Sequence, residues 1–266
     1  MLDKQGVVQQ IITTSIKDPY EITTDAAGDI IVANHEHNLA NLQVLPDGGI
    51  YRIDRETAVQ TKVASGAPFV TPLGVKVDSL TGQWIVADPD AFKLSSTVWG
   101  AVFRVDPMTG TKTVISKEGN FFYLQGLALS ANGDIYVSDV GTPKKIIKVS
   151  PLDGTQTIIA SANNLQFPVG LQVESDGNSL IVADALARKI ISISLPSGAQ
   201  RVLSSDPQFN QPTHITIEAD GNYLVTDGKS TTGTRRLFRV DKGTGVATEL
   251  SRNGFFEQPR GVITAK

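Results

Sequence analysis

Two ionisable side chains, Glu21 and His214, occupy a repeating position of the chain that is otherwise glycine. The glycines at that position are Gly74, Gly126, Gly170 and Gly261. A carboxylate and an imidazole that converge on one point can ligate a divalent cation such as Ca²⁺, Mg²⁺ or Zn²⁺, or can act as an acid and base pair. They can equally be a hydrogen-bonded pair that fills the space left by glycine. We therefore take Glu21 and His214 as candidate catalytic and metal-binding residues, with packing as the alternative.

A second repeating position carries a short polar side chain in every complete repeat. Its occupants are Asn34, Asp88, Asp139, Asp184 and Asp227. In the structural interpretation, each side chain accepts hydrogen bonds from backbone N–H groups of the turn that follows. In the functional interpretation, Asp88 and Asp227 join Glu21 and His214 as ligands of a divalent cation.

The segments after this second position differ in length and add further candidates. They span about 18, 16 and 12 residues in repeats 1, 2 and 5, against about 9 and 8 in repeats 3 and 4. Long loops on a rigid scaffold commonly carry binding residues. The first loop contains His35 and His37, whose spacing places both imidazoles on one side of an extended strand. The second loop adds Asp90 and Trp99, so these four residues, with Asp88 and Asp227, are our candidate ligand-binding residues.

The elements that must position these residues are five copies of one pattern. Each copy opens with a proline or leucine and an apolar strand, continues through a glycine turn into a second strand such as DIYVSD, and ends with two more strands such as KIIKVS and TQTIIAS. The openings recur every 44 to 53 residues or so, which is the period of a propeller blade. We predict an all-β fold, a β-propeller of four-stranded antiparallel blades, as a single domain over residues 1–266. The predicted repeats are 19–66, 70–118, 122–164, 167–208 and 211–255.

The two ends of the chain predict a sixth, incomplete blade. Residues 256–266 open like a repeat, and residues 1–18 end like one, so the two segments are expected to lie in the same or adjacent sheets. A five-bladed ring with accessory terminal strands is the alternative. A third interpretation is that the chain is a piece of a longer protein.

Composition excludes some function classes and leaves the compartment open. The net charge of −3 and the pI near 5.6 give no basic excess for a nucleic-acid backbone. No apolar run is long enough to span a membrane. There is no cysteine and no visible secretory signal, although a position outside the cytoplasm after signal removal is compatible with the sequence. The nucleophile elbow, the phosphate-binding loop and the zincin motif are absent.

The strings Ile135 to Asp139 and Ile181 to Asp184, each after a glycine turn, resemble the NHL-type repeat. More loosely, the chain is similar to the streptogramin lyase and SMP-30/gluconolactonase group of six-bladed propellers. Similarity to the lyases implies a magnesium site on the channel face, where His214 matches in position although no Glu-x-His string is present. Similarity to the SMP-30 group implies a divalent metal held by Glu, Asn and Asp, of which Glu21 matches the first. The fold hosts lyases, lactonases and binding modules, so the resemblance does not decide the activity.

We expect a non-catalytic binding propeller that recognises a protein or a small polar ligand on its top face, the face on which first strands begin and second strands end. The alternative is a divalent-metal-dependent lactonase, hydrolase or lyase with the metal at the channel mouth. The working surface is expected on the arc of blades 5, 6, 1 and 2. Alanine at Glu21 or His214 is expected to weaken ligand or metal binding with little change in stability, because both are expected beside a wet channel.

Overall fold

The computed structural model describes residues 16, 18–35, 48–92, 99–228, 235–252 and 261–264. These residues form five antiparallel sheets of four strands, and the strands of each sheet follow chain order. The predicted all-β propeller of four-stranded blades is therefore confirmed. The described residues form five blades, as in the five-bladed alternative. No helix in the described ranges is long and apolar enough to cross a membrane.

We call the five sheets blades 1 to 5, and in each we call the first strand the inner strand and the last the outer strand. The strands are β1 (Pro19–Thr24), β2 (Ile30–Asn34), β3 (Gly49–Ile53) and β4 (Gln60–Ser65) in blade 1; β5 (Gly74–Val77), β6 (Trp84–Asp88), β7 (Ala101–Val105) and β8 (Lys112–Lys117) in blade 2; β9 (Leu124–Leu129), β10 (Ile135–Asp139), β11 (Lys145–Val149) and β12 (Gln156–Ser161) in blade 3; β13 (Pro168–Val173), β14 (Ser179–Asp184), β15 (Lys189–Ser194) and β16 (Gln200–Ser204) in blade 4; and β17 (Pro212–Ile217), β18 (Tyr223–Asp227), β19 (Arg236–Val240) and β20 (Ala247–Arg252) in blade 5. All twenty strands fall inside the five predicted repeats.

The hydrophobic cores lie between neighbouring blades, because alternate residues of a strand point to opposite faces of its sheet. Ile31 and Ala33 of β2 pack in the core shared with blade 2, while Val32 between them packs with Ile16 and Ile53 on the other face of blade 1. The same alternation builds a core between blades 2 and 3, between blades 3 and 4, and between blades 4 and 5. Each blade is thus held by apolar burial against the blade beside it.

Every outer strand is joined to the third strand of its blade with a shift in register. The shift recurs in all five blades, for example between Ile146 and Ile147 in blade 3. Such a bulge increases local twist and keeps a free sheet edge from pairing with another chain.

Neighbouring blades also dock through glycines in the turns between third and outer strands. A Cβ atom on Gly154 of blade 3 would lie 2.1 Å from the carbonyl oxygen of Ile115 in blade 2, and Gly154 has a φ of +73°. The corresponding glycines of blades 2, 4 and 5 make the same approach to the preceding outer strand, and they are Gly110, Gly198 and Gly245. Only glycine has both the backbone conformation and the space that this turn requires.

Residues 261–264 lie beside the inner strand of blade 1. A Cβ atom on Gly261 would lie 3.3 Å from the carbonyl oxygen of Tyr20, as one on Gly126 of β9 would approach the carbonyl oxygen of Val169 in β13. Gly261 therefore packs against β1 in the way that a residue of one inner strand packs against the next inner strand. The predicted sixth blade is not confirmed, because residues 1–15, 253–260 and 265–266 lie outside the described residues, and so does the predicted pairing of the two chain ends.

Candidate functional site

Glu21 and His214 meet at the centre of the ring, together with Lys76, which the sequence did not single out. Glu21 Oε1 lies 2.7 Å from the ammonium of Lys76 and 3.4 Å from Nε2 of His214. The backbone N–H of Val75 donates to Glu21 Oε2 at 3.0 Å. Only 1% of Glu21 and 2% of His214 is exposed, so the expectation of a wet channel at this level is wrong.

Both side chains lie in space that glycine leaves on a neighbouring inner strand. A Cβ atom on Gly74 would lie 3.2 Å from Glu21 Oε2, and one on Gly170 would lie 3.2 Å from Nδ1 of His214. This is the packing arrangement that the sequence left open as the alternative. This packing uses a glycine in the neighbouring blade, Gly74 beside Glu21 and Gly170 beside His214.

Burial sets the protonation preferences of this cluster. Burial raises the pKa of Glu21 above its usual value, and the ion pair with Lys76 opposes that rise. Burial also lowers the pKa of His214 well below its usual value, and the charge of Lys76 lowers it further. His214 is therefore a neutral imidazole at physiological pH.

The central cluster does not fit a divalent-metal site. It offers one carboxylate and one imidazole, and the ammonium of Lys76 already occupies the cation position next to Glu21 Oε1. Within the described ranges, no group of three or more His, Asp or Glu residues is arranged to hold a metal ion.

The polar residues that end the second strands hold the backbone that leads into the inner strand of their own blade. Asp88 accepts hydrogen bonds from the N–H groups of Val70 and Thr71, at 2.7 and 3.1 Å, and from that of Asp90 at 3.0 Å. The corresponding N–H donors in the other blades are those of Asp18 to Asn34, Phe122 and Tyr123 to Asp139, Gln166 and Phe167 to Asp184, and Asn210 and Gln211 to Asp227. The structural interpretation from the sequence named the following turn, whereas most of these donors precede the inner strand.

Asp88 differs from the three other aspartates at this position because it has a second carboxylate, Asp90, close to it and no basic residue opposite it in the sheet. Burial, with a smaller contribution from Asp90, raises the pKa of Asp88 to about 6. Its opposite residue on β7 is Ala101, whereas Asp139 and Asp227 face Lys145 and Arg236.

Asp88→Asn is expected to change the pH dependence of folding. Because the folded pKa is raised, the folded wild type binds more protons than the unfolded chain between about pH 4 and 6, so its free energy of unfolding falls as pH rises through that window. Asparagine, which occupies this position in blade 1 as Asn34, has no titratable proton. The variant should therefore gain on the wild type by up to about 3 kcal/mol from pH 4 to pH 7, measured by urea unfolding. A constant difference across that range would contradict the assignment.

The remaining candidates occupy different places. His35 is nearly buried at the cavity described next, with Nδ1 3.4 Å from Asp18 Oδ2. Asp90 is buried and accepts a hydrogen bond from the hydroxyl of Thr71 at 3.0 Å. Trp99 is partly exposed after the second loop, and His37 lies outside the described residues.

A cavity of about 430 Å³ opens at the centre of the top face, and we call it the mouth. In each blade, the residue just before the glycine position lines this cavity. These five residues are Tyr20, Leu73, Gln125, Val169 and Thr213. The wall is completed by His35, Tyr123, Phe167, Ala185, Leu186, Gln211 and Gly228. The sequence analysis missed most of these residues, although the repeating position before the glycine was a usable signal.

The mouth lies next to the central cluster but is chemically unlike it. The hydroxyl of Tyr20 donates to Oε1 of Gln125 across the ring at 2.5 Å, one residue before the Glu21 and Gly126 positions. Among the residues that the structure describes, the lining contains no carboxylate, lysine or arginine. It can therefore bind by shape and by neutral hydrogen bonds rather than by charge.

Comparison with known proteins shows the fold alone. No family model matches the chain, and no curated protein matches it. Among solved structures, a chain from "Crystal structure of Nidogen/Laminin Complex" is similar, with 16% sequence identity and a TM-score of 0.70, over 89% of this chain and 80% of that chain. This similarity supports the propeller fold; the closer resemblance to the streptogramin lyase and SMP-30 group is not shown by it.

Proposed function

We propose that this chain is a non-catalytic binding propeller that recognises a segment of a protein partner at the mouth of its top face. The observation that carries the proposal is one cavity that five inner strands build at the mouth, whose described lining has aromatic, aliphatic and amide side chains but no carboxylate, lysine or arginine. The acidic residues expected to do chemistry there hold backbone N–H groups or lie in the buried central cluster. Among the described residues, the surface best suited to a ligand is therefore this concave one, which is largely apolar.

One side of the mouth is apolar and continues onto the surface of blades 3 and 4. Phe167 and Leu186 form this wall, and 55% of Leu186 is exposed. Tyr123 lies beside them, and Phe122, which is 67% exposed, extends the apolar area outward. Large exposed apolar side chains around a cavity are typical of a surface that anchors a partner.

The opposite side of the mouth offers hydrogen-bonding groups. Gln211 and Thr213 of blade 5 lie there, with His35 of blade 1. An anchor that combines an aromatic ring with a hydroxyl, such as a tyrosine side chain, satisfies both sides at once. The similar nidogen/laminin structure is titled as a complex, which agrees with a protein as the occupant.

Leu186→Glu is expected to weaken binding of a fluorescent peptide that carries one tyrosine between asparagines by about tenfold or more, because it places a charge in the apolar wall. The measurement is fluorescence anisotropy. The matched control is Leu152→Glu, since Leu152 is 95% exposed in the turn between β11 and β12 at the opposite face. Equal losses in the two variants, or no binding of the peptide to the wild type, would contradict recognition at the mouth.

A further inference from the structure

The third strands of the blades begin with residues of different charge. Opposite the second-strand ends, blades 3, 4 and 5 place Lys145, Lys189 and Arg236, whereas blades 1 and 2 place Gly49 and Ala101. All five positions are on the top face. Basic residues at this level are thus confined to one side of the ring among the described strands.

Two of these basic residues are already neutralised. Lys145 lies 3.6 Å from Asp139, and Arg236 lies 3.0 Å from Asp227. Lys189 has no carboxylate within 4.0 Å in the part of the chain that the structure describes. Lys144 and Arg188, in the top-face turns of blades 3 and 4, also have none there.

The three unneutralised cations lie on the top face of blades 3 and 4, the two blades that carry the apolar wall of the mouth. Arg188 is exposed and follows Leu186 by two residues in the turn between β14 and β15. Lys189 begins β15, and Lys144 immediately precedes β11 in the neighbouring blade. An anchor in the mouth would therefore bring its flanking residues close to positive charge on the side of blades 3 and 4.

On the top face, the aspartates that end the second strands are fully buried, and Glu118 and Asp206 lie just beyond outer strands. Further carboxylates lie on the opposite face of the ring. Those at or just beyond the inner-strand ends are Asp25, Asp78, Glu174 and Glu218, and those in the turns before the outer strands are Asp54, Asp106, Asp153 and Asp241. The net charge of −3 for the whole chain thus hides a basic patch beside the mouth. Such a patch attracts acidic partners and is screened by salt.

We infer that the partner segment carries aspartate or glutamate residues next to its uncharged anchor, and that Lys144, Arg188 and Lys189 select them. This inference rests on the proposed recognition of a protein segment at the mouth. It names the chemistry of that partner as an acidic peptide. Since basic residues at exposed positions act mainly on encounter and selectivity, the preference is expected to depend strongly on ionic strength.

The test compares three synthetic peptides that share one tyrosine and differ in its flanks, which are aspartates, asparagines or lysines. In about 20 mM NaCl, the aspartate peptide is expected to bind about tenfold more tightly than the asparagine peptide, and the lysine peptide more weakly than both. In about 500 mM NaCl, this advantage should fall to about twofold.

Arg188→Asn should lower the affinity for the aspartate peptide about threefold and leave the asparagine peptide unchanged. Asparagine suits the φ of +55° at this position, so the variant keeps the turn. Lys144→Gln is a second variant with the same expected effect. The matched control is Arg201→Asn on the outer strand β16, which should bind all three peptides like the wild type.

The outcomes separate the two proposals. If the asparagine peptide binds at the mouth as tightly as the aspartate peptide, the acidic partner is overturned while recognition at the mouth stands. If no peptide binds and Leu186→Glu has no effect, the proposed function itself fails. If a single-stranded oligonucleotide binds in an Arg188-dependent manner and the aspartate peptide does not, the patch serves nucleic acid and the inference is overturned.

Discussion

Replacing Lys76 with methionine is expected to lower the free energy of unfolding by about 1 to 3 kcal/mol, because it leaves the buried carboxylate of Glu21 without a counter-charge. Lys76 is 13% exposed at its side chain and lies 2.7 Å from Glu21. The measurement is urea unfolding at pH 7. The same change at Arg239, which is 43% exposed and pairs with Glu218, should cost less than about 1 kcal/mol. The expectation of little change in stability on replacing Glu21 with alanine assumed a wet channel, whereas only 1% of Glu21 is exposed.

A double variant tells an ion pair from a general packing defect. Replacing both Glu21 with glutamine and Lys76 with methionine removes both charges, so its stability should recover most of the loss. A loss of less than about 1 kcal/mol in Lys76→Met alone would mean that Glu21 is already protonated in the folded protein, and the ion pair would be wrong.

Gly154→Ala is expected to destabilise the ring by about 3 kcal/mol, because its Cβ atom would collide with the backbone of blade 2 in addition to straining the turn. Gly177→Ala is the matched control. Gly177 has a φ of +72°, close to the +73° of Gly154, but a Cβ atom there meets nothing within 4 Å. The control should therefore lose only the backbone term, about 1 kcal/mol.

The difference between the two glycine variants measures the docking of one blade on the next. Both are compared with the wild type by thermal and urea unfolding. Equal losses at Gly154 and Gly177 would show that the approach of Gly154 to Ile115 contributes nothing, and the account of blade docking would be wrong.

The strands could be predicted from the sequence because backbone requirements fix their ends. Each second strand follows a glycine and ends in a short polar residue, and this pattern recurs along the chain. The structure shows why the polar residue recurs, because each Asp or Asn accepts hydrogen bonds from N–H groups that have no partner within a strand. The sequence also brought Glu21 and His214 together correctly, because their shared repeat position places them at one level of the ring.

The chemistry of the site could not be predicted in the same way. Lys76 comes from a different blade than Glu21, and no periodicity reveals that its side chain turns toward the axis. The mouth was missed for a related reason. Its five inner-strand residues include tyrosine, leucine, glutamine, valine and threonine, so the position repeats while its chemistry does not.

The glycine turns that dock one blade on the next have a consequence for how this shape tolerates change. The contact is made by main-chain atoms on both sides, since it joins the Cα of Gly154 to the carbonyl of Ile115. Side chains elsewhere in those two strands take no part in this contact. Residues outside these contacts and the cores can therefore vary while the blades keep their spacing, provided that each of these turns keeps its glycine. The spacing of the blades is therefore set by a backbone contact that repeats from blade to blade, whereas the exposed side chains are free to vary.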